Sequence, residues 1–449
     1  MKVAHFSDLH YSPGNLVEAD RCFSFAVANA VASGADIAVI SGDSTDHRLD
    51  AHSPALNALA TRVHELSNAM PVIMLQGTFS HEPAGTLDNF AFMYGAHPIV
   101  IADEVQQIAF IDGQPHRSAG AVFSERELEA LLPRRPTLVV TALPTISKGE
   151  LAVRVGALNA ATALADVLGG FLGAAGQVND RLRLAGIATI GISHGTVNGC
   201  QTEHGVTMAG FDHEFSTTAL FDAQCSAFLL GHIHKEQGWE YCGRMIGYPG
   251  SIGRFHYGEE GAKGYLLWDV DAAGAQYGMV TTPARETVCL DFNGPPDMAR
   301  LAEVAAMSND KFVRVRWQID EEHRQSVDRE AIAAMFANAA ELKVEARILP
   351  VSRSRAQGIS LEATLEGKLA RWAGLTNIDA TPLLGRVNLL EASDAQGIVD
   401  EVLLHLFRED EPDPAPATAL GLQPAIDPIP LDDREASITG WFEEDLFAT

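Results

Sequence analysis

The sequence predicts a layered α/β fold with a smaller second α/β domain, and three observations carry that expectation. Short apolar runs alternate with amphipathic segments through the N-terminal half. Several of those runs stop at an Asp or His beside a glycine. Near Cys289 the pattern changes to period-two alternation, and past Phe407 it gives way to an acidic, Pro-rich tail.

In chain order, "KVAHFSD" reads as a strand and "LVEADRCFSFAVANAVASG" as a helix ending at Gly34. "DIAVISGD" reads as a buried strand. "SPALNALATRVHELSNA" is a helix with Ser53 as N-cap and Pro54 in its first position. "PVIMLQG" is the next strand. Later, "TLVVTAL", "GIATIGISHG" and "SAFLLGHIH" are apolar runs that each stop at a polar or glycine-rich turn. "RMIGYPGS", "GYLLWDV" and "AQYGMVTT" read as an antiparallel set. The Ala/Gly/Leu-rich stretch from Val155 contains Asn159 and Asp166, which suits a soluble helix pair and not a membrane span.

Beyond Cys289, "KFVRVRWQID", "DREAIAAMFANAA" and "LKVEARILPV" form a βαβ pattern. "SLEATLEGKLARWAG" and "SDAQGIVDEVLLHLF" are amphipathic helices. The expected domains are 1–285, 286–390, a helix over 391–408, and a tail over 409–449. The tail carries eleven acidic residues against the single Arg434, and its composition predicts disorder. Its terminal "GWFEEDLF", with Trp441, Phe442 and Phe447, fits a short peptide that docks on a partner.

Composition narrows the function. The formal net charge of −27 excludes general nucleic-acid binding by bulk electrostatics. Five cysteines without a Cys-x-x-Cys predict reduced thiols in the cytoplasm and no zinc-finger framework. "MKVAHFSDLHYS" runs straight into a strand pattern, so no secretory signal is expected.

Five stretches share one design, an apolar run with ligand-type residues at its C-terminal end. They are "FSDLH" (Asp8, His10), "ISGDSTDH" (Asp43), "LQGTFSHE" (Ser80, His81, Glu82), "ISHG" (His194) and "GHIH" (His232, His234). Sites in open α/β sheets lie beyond the carboxyl ends of strands. Spacing of i, i+2 in an extended segment puts both side chains on one face. Mixed Asp and His ligation suits Mn²⁺, Fe²⁺ or Zn²⁺ better than Ca²⁺, and paired ions can clamp a phosphoryl group. Taken singly, Gly42-Asp43 suits a turn or cap, and His194 suits a satisfied core histidine. The order of all five favours metal.

D-x-H, G-D, an H-E in the place of G-N-H-(D/E), H and G-H-x-H, in this order, resemble the calcineurin-like metallophosphoesterases. "YPGSIGRFHYGEEGAKGYLLWDVD" resembles the "PGS…E…KG" segment of the SbcD nuclease branch, and Lys311 to Val351 resembles that branch's capping domain. The resemblance implies a metallophosphoesterase β-sandwich flanked by helices over 1–285, with a capping domain over 286–390. It implies two Mn²⁺ ions, or Mg²⁺, held by Asp8, His10, Asp43 and His234 and by Asp43, His194 and His232. His81 would be the catalytic histidine, with Glu82 orienting it. Where the family has an asparagine ligand, this chain has Ser80 before the histidine, as either a ligand or a turn residue. His47, Arg254 and His256 are candidates for substrate contact.

The function implied is a DNA exo- or endonuclease subunit. The helix over 391–408, through Ile398, Val402, Leu403 and Phe407, would dock an SbcC-like coiled-coil ABC ATPase or else pack on the chain's own body, and the chain would form a homodimer without membrane contact. Two alternatives stay open: a phosphoesterase for nucleotides or cyclic nucleotides, and a non-catalytic scaffold with a degraded second metal site. Arg314, Arg316, Arg347, Arg353 and Arg355 form either a phosphate-tracking stripe or a solvated face balanced by Glu330, Glu341 and Glu345.

Overall fold

A computed structural model describes residues 1–146, 160–202, 214–259, 261–350 and 358–406. His204, His213, Arg353, Arg355, Phe407 and the acidic tail lie outside the described residues. The chain divides into two compact units, Met1–Val351 and Ser352–Thr449.

The first unit begins β1 (Lys2–Phe6), α1 (Leu16–Ala32), β2 (Ile37–Ile40), α2 (Pro54–Ala69), β3 (Val72–Leu75) and β4 (Ile99–Ala102). It continues with β5 (Gln106–Ile111), β6 (Gln114–Arg117), α3 (Glu125–Leu131), β7 (Leu138–Leu143), α4 (Ala160–Leu184) and β8 (Ala188–His194). Then come β9 (Thr196–Val197), β10 (Glu214–Phe215), α5 (Thr217–Asp222), β11 (Ala227–Gly231), β12 (Gln237–Tyr241) and β13 (Arg244–Tyr248). β14 (Gly264–Val270) and β15 (Ala275–Thr281) complete this part.

One sheet has the order β15-β14-β1-β2-β3-β4, and a second has the order β12-β13-β11-β8-β7-β5-β6. β1 to β4 run parallel, as do β7, β8, β11 and β13. β2 and β3, "IAVI" and "VIML", are buried at every residue, which is what strands covered on both faces require. One buried cluster joins Val3, Val39 and Ile73 of the first sheet to Val140, Ile190 and Leu229 of the second. On the other face of the first sheet, Phe23 and Ala26 of α1 and Leu59 and Val63 of α2 pack with Phe6, Ile40 and Met74. The second sheet is covered by Leu172 and Ala175 of α4 and Leu220 of α5, against Phe228, Leu230 and Ile246.

Two expectations need correction. The antiparallel set holds for β14 and β15. The "RMIGY" segment, however, is β13 in the other sheet, parallel to β11. The "PGS" turn at 249–251 therefore carries the chain from one sheet to the other. The region read as a helix pair is, from Ala160, a single 25-residue helix that runs through Gly169 and Gly170. Ser53 does cap α2, with Pro54 following, but its hydroxyl makes no cap hydrogen bond. Among the described residues no helix is long and apolar enough to cross a membrane.

The first unit ends in a third sheet of three parallel strands, β16 (Thr287–Asn293), β17 (Phe312–Asp320) and β18 (Glu341–Leu349). The crossovers are α6 (Met298–Ala305) and α7 (Arg329–Met335), and the core is Leu290, Leu301, Val313, Val315, Trp317 and Ile332. On the opposite face, read as either an arginine stripe or a balanced solvated face, the charges are mixed in sign. Arg316 pairs with Asp291 at 2.5 Å and Lys343 with Glu345 at 2.9 Å. The second unit contains α8 (Leu365–Thr376), α9 (Thr381–Ala392) and α10 (Ala395–Leu406). Thr364 caps α8 by accepting from Gly367 N–H at 3.1 Å.

Candidate metal centre

The ligand-type residues leave the two large sheets at the carboxyl ends of adjacent parallel strands. Asp8 and His10 follow β1, Asp43 follows β2, and His81 follows β3. In the second sheet, His194 ends β8, and His232 and His234 follow β11.

The local backbone is not the extended one expected for Asp8 and His10. Asp8 (φ 51°), His10 (φ 46°), Asp43 (φ 50°) and His232 (φ 101°) all adopt left-handed conformations. Such residues cost on the order of 1–3 kcal/mol each and persist where the surroundings over-determine them. Here the loops after β1 and β2 bind one another. Leu9 N–H and His10 N–H both donate to the Asp43 carbonyl, at 2.9 and 3.0 Å, and Asp46 N–H donates to the Tyr11 carbonyl at 3.0 Å. Gly42 permits this approach. Its φ is +103°, and a Cβ there would lie 2.3 Å from His194 Nδ1.

Among the described residues four groups of potential ligands form, two of them, His10/Asp46/His81 and His234/His256/Glu259, sharing a histidine with the first group below. Asp8, His10 and His234 bring ligand atoms within 4.8 Å of one another, and so do Asp43, His194 and His232. In the first group, His10 Nε2 and His234 Nε2 stand 3.0 Å apart. They lie 3.9 and 3.8 Å from Asp8 Oδ1. In the second group, His194 Nδ1 donates to the Ser41 carbonyl at 2.8 Å. That leaves Nε2 as the lone-pair nitrogen of the neutral ring, facing Asp43 Oδ2 at 3.2 Å. Without a proton this buried nitrogen has no hydrogen-bond partner; with one it pairs with Asp43.

A buried lone pair against a carboxylate needs a positive charge between them. A proton supplies one: burial opposes charging His194, yet the Asp43 carboxylate lifts it to about 9. A divalent cation supplies it equally, and mixed carboxylate and imidazole donors suit a transition metal. Burial, with His234 beside His10 and His194 beside His232, brings His10 and His232 down to about 3, which keeps both rings neutral and able to ligate. The residues present therefore fit a pair of cations.

His81 stands beside this centre, half-buried, its ring 4.9 Å from that of His10. Its orienting partner is not Glu82. His81 Nδ1 is 2.9 Å from Asp46 Oδ1, and this hydrogen bond raises the His81 pKa. Glu82 is fully buried and accepts from Gly77 N–H (2.7 Å) and Ser44 N–H (3.0 Å), so it clamps the loop after β3 to the loop after β2. Burial pushes its carboxyl up to about 7.

Ser80 is exposed. The hydroxyl near Asp43 belongs to Thr78, whose N–H donates to Asp43 Oδ1 at 2.7 Å and whose Oγ1 lies 3.3 Å from Oδ2. His47 is exposed, 2.6 Å from Asp46 Oδ1, with its ring 5.6 Å from that of His81. His256 stacks on His234 at 5.8 Å. Arg254 turns its guanidinium into the backbone carbonyls of Gly261, Ala284 and Arg285, so it braces a loop.

Sequence reasoning missed four residues at this centre. Thr78 carried a signal, since it directly follows Gly77, and Asp46 carried one in its place three residues after Asp43. The other two are Glu259 and Lys263, a fully buried pair 2.5 Å apart. Lys263 Nζ also donates to the His234 carbonyl at 2.7 Å and to Ser251 Oγ at 2.9 Å. Glu259 accepts from Phe255 and His256 N–H and lies 4.0 Å from His234 Nδ1. Their i, i+4 spacing in "GEEGAKG" was the available signal.

No family model matches the chain, and no curated protein matches it. Solved structures do. GAP50, the anchor in the inner membrane complex of Plasmodium, aligns with a TM-score of 0.40 at 11% identity, covering 63% of this chain and 85% of that one. A dimetal phosphatase from Danio rerio aligns with a TM-score of 0.40 at 11% identity, covering 62% of this chain and 98% of that one.

Proposed function

We propose that this chain is a divalent-metal-dependent phosphoesterase and, within that class, a DNA phosphodiesterase of the SbcD-like kind. The observation that carries the class is the pair of Asp/His groups at adjacent strand ends, with the buried His194 Nε2 facing Asp43. The two sheets that share a buried core, each covered by helices, are in keeping with a metallophosphoesterase sandwich. Support for the finer reading is the "PGS…E…KG" segment, whose Glu259 and Lys263 brace His234.

Asp8, His10 and His234 would hold one cation, and Asp43, His194 and His232 the other. The bound ions, Mn²⁺ in this reading, would act as Lewis acids on a phosphoryl group and offset its developing charge. The chain's own residues do the rest. His81 delivers a proton from Nε2 to the leaving oxygen, a role worth about 10²–10⁴-fold in rate. Asp46 holds Nδ1, so the ring keeps one orientation and its proton stays on the reacting side. Glu82 fixes the distance between His81 and Asp43 by tying their loops. An ABC-type ATPase partner and a homodimer would complete the DNA-processing form, with α10, where Val402 and Leu403 are exposed, as the docking helix.

The formal charge of −27 favours one second reading, a phosphoesterase for a small diester. Turnover of duplex DNA ends and of a chromogenic phosphodiester, each with Mn²⁺, separates the two. Cleavage of both, lost in Asp43→Ala and His81→Ala chains that stay folded, is the expected result. Cleavage of the small diester alone, with and without a coiled-coil ATPase, would select the second reading.

A further inference from the structure

The second ligand group contains one carboxylate and two imidazoles, fewer donors than a divalent cation of this type takes. The loop after β3 brings a further side-chain oxygen to Asp43. Thr78 is anchored there by its own N–H on Asp43 Oδ1, at 2.7 Å. Its hydroxyl then falls 3.3 Å from Asp43 Oδ2, the same oxygen that faces His194 Nε2 at 3.2 Å. The hydroxyl and the imidazole nitrogen thus both stand beside Asp43 Oδ2. Ser80, two residues on, is exposed.

We infer that Thr78, and not Ser80, supplies the oxygen ligand from this loop to the cation held by Asp43, His194 and His232. The inference rests on the metal reading proposed above. A hydroxyl is neutral and short, so it is a weak donor beside a carboxylate or a carboxamide. The consequence is a second site of lower affinity than the first, set by Thr78. The loop can carry the two residues Phe79 and Ser80 between Thr78 and His81 because the two functional residues are fixed separately, Thr78 by Asp43 and His81 by Asp46.

The test is a calorimetric titration of Mn²⁺ into the metal-free full chain, with electron paramagnetic resonance counting free ion. The unaltered chain is expected to take up two ions of unequal affinity. Thr78→Val keeps the shape and the backbone N–H and removes only the hydroxyl. It is expected to leave the tight site unchanged and weaken the other by about 10–100-fold. Thr78→Asn, which offers a carboxamide oxygen, is expected to tighten that site, and Ser80→Ala to change neither.

Equal constants for Thr78→Val and the unaltered chain overturn the inference, as does a weakened site in Ser80→Ala. Should the valine variant unfold, Thr78→Ala is compared with Thr78→Ser. Weakening in the alanine variant alone is expected, and equal affinities overturn the role. An unaltered chain that binds no Mn²⁺ defeats the metal reading itself. Two sites that survive Thr78→Val defeat only the assignment of Thr78.

Discussion

Asp46 determines what His81 can do. Its carboxylate raises the His81 pKa through the 2.9 Å bond to Nδ1, so the ring stays protonated to higher pH. If His81 is the proton donor, activity falls as pH rises through that pKa. Asp46→Asn removes the stabilising charge, so the alkaline limb of the rate profile is expected to move to lower pH, with a loss of roughly tenfold or more in kcat. A pH–rate profile of both chains checks this, and an unmoved limb would assign the limb to another group. Glu259 is a second case. Burial alone would raise its pKa, but His234 and Lys263 outweigh burial and hold it below the ordinary 4.5. Its contribution to stability is therefore present above pH 4.5 and lost as pH falls through the folded value. Glu259→Gln strands Lys263 as a buried charge and is expected to cost about 3–5 kcal/mol in urea unfolding of the metal-free chain. At this scale the grouping of Asp8, His10, Asp43, His194, His232 and His234 was legible, because each follows an apolar run. Thr78 and Asp46 were obscured because partners are set by loop geometry. Spacing alone pointed to Ser80 and Glu82, which the backbone turns elsewhere.

The elements that position the centre meet at their ends, with little spare space. Gly231 ends β11, and a Cβ there would lie 2.2 Å from the Ser41 carbonyl and 2.3 Å from Ser7 Oγ, the residues that directly follow β2 and β1. Gly231→Ala is expected to force the two sheets apart at the centre. The cost should be about 1–3 kcal/mol of stability, with a lower metal affinity, as read by thermal melts with and without Mn²⁺. A melt identical to that of the unaltered chain in both conditions would remove the close approach from the account. The strands and α1 and α2 were legible because their apolar periods match their burial; α1 buries Ala19, Cys22, Phe23, Ala26, Val27 and Ala30 along one face. The placement of β13 was not legible, since "RMIGY" reads as a strand whichever sheet it joins. β16 and α6 were also unread: each buries a single residue fully, Leu290 and Leu301, so neither shows a strong apolar pattern.

For the whole molecule, charge sets the terms on which a nucleic acid can approach. A chain of formal charge −27 repels a polyanion over a distance set by the Debye length, about 30 Å at 0.01 M salt and about 10 Å at 0.1 M. Cleavage of duplex DNA by the isolated chain is therefore expected to rise with salt over this range, opposite to the trend of a basic nuclease. Cleavage of a small diester should change less. Parallel rate measurements at fixed Mn²⁺ check the sign, and DNA cleavage that falls with salt would mean that a local cationic surface governs the encounter. The first unit was legible as an α/β assembly from its strand rhythm. The change of pattern near Cys289 was legible as well, and a third sheet with its own core begins there. The central claim is that two Asp/His groups hold divalent ions for phosphodiester hydrolysis. The most direct measurement is the rate of hydrolysis of a chromogenic phosphodiester as Mn²⁺ is titrated into metal-free chain. The expected result is no turnover without metal, a rise that saturates as two ions bind, and no rise in Asp43→Ala. Turnover that is absent at every Mn²⁺ concentration, or that persists in Asp43→Ala, would contradict it.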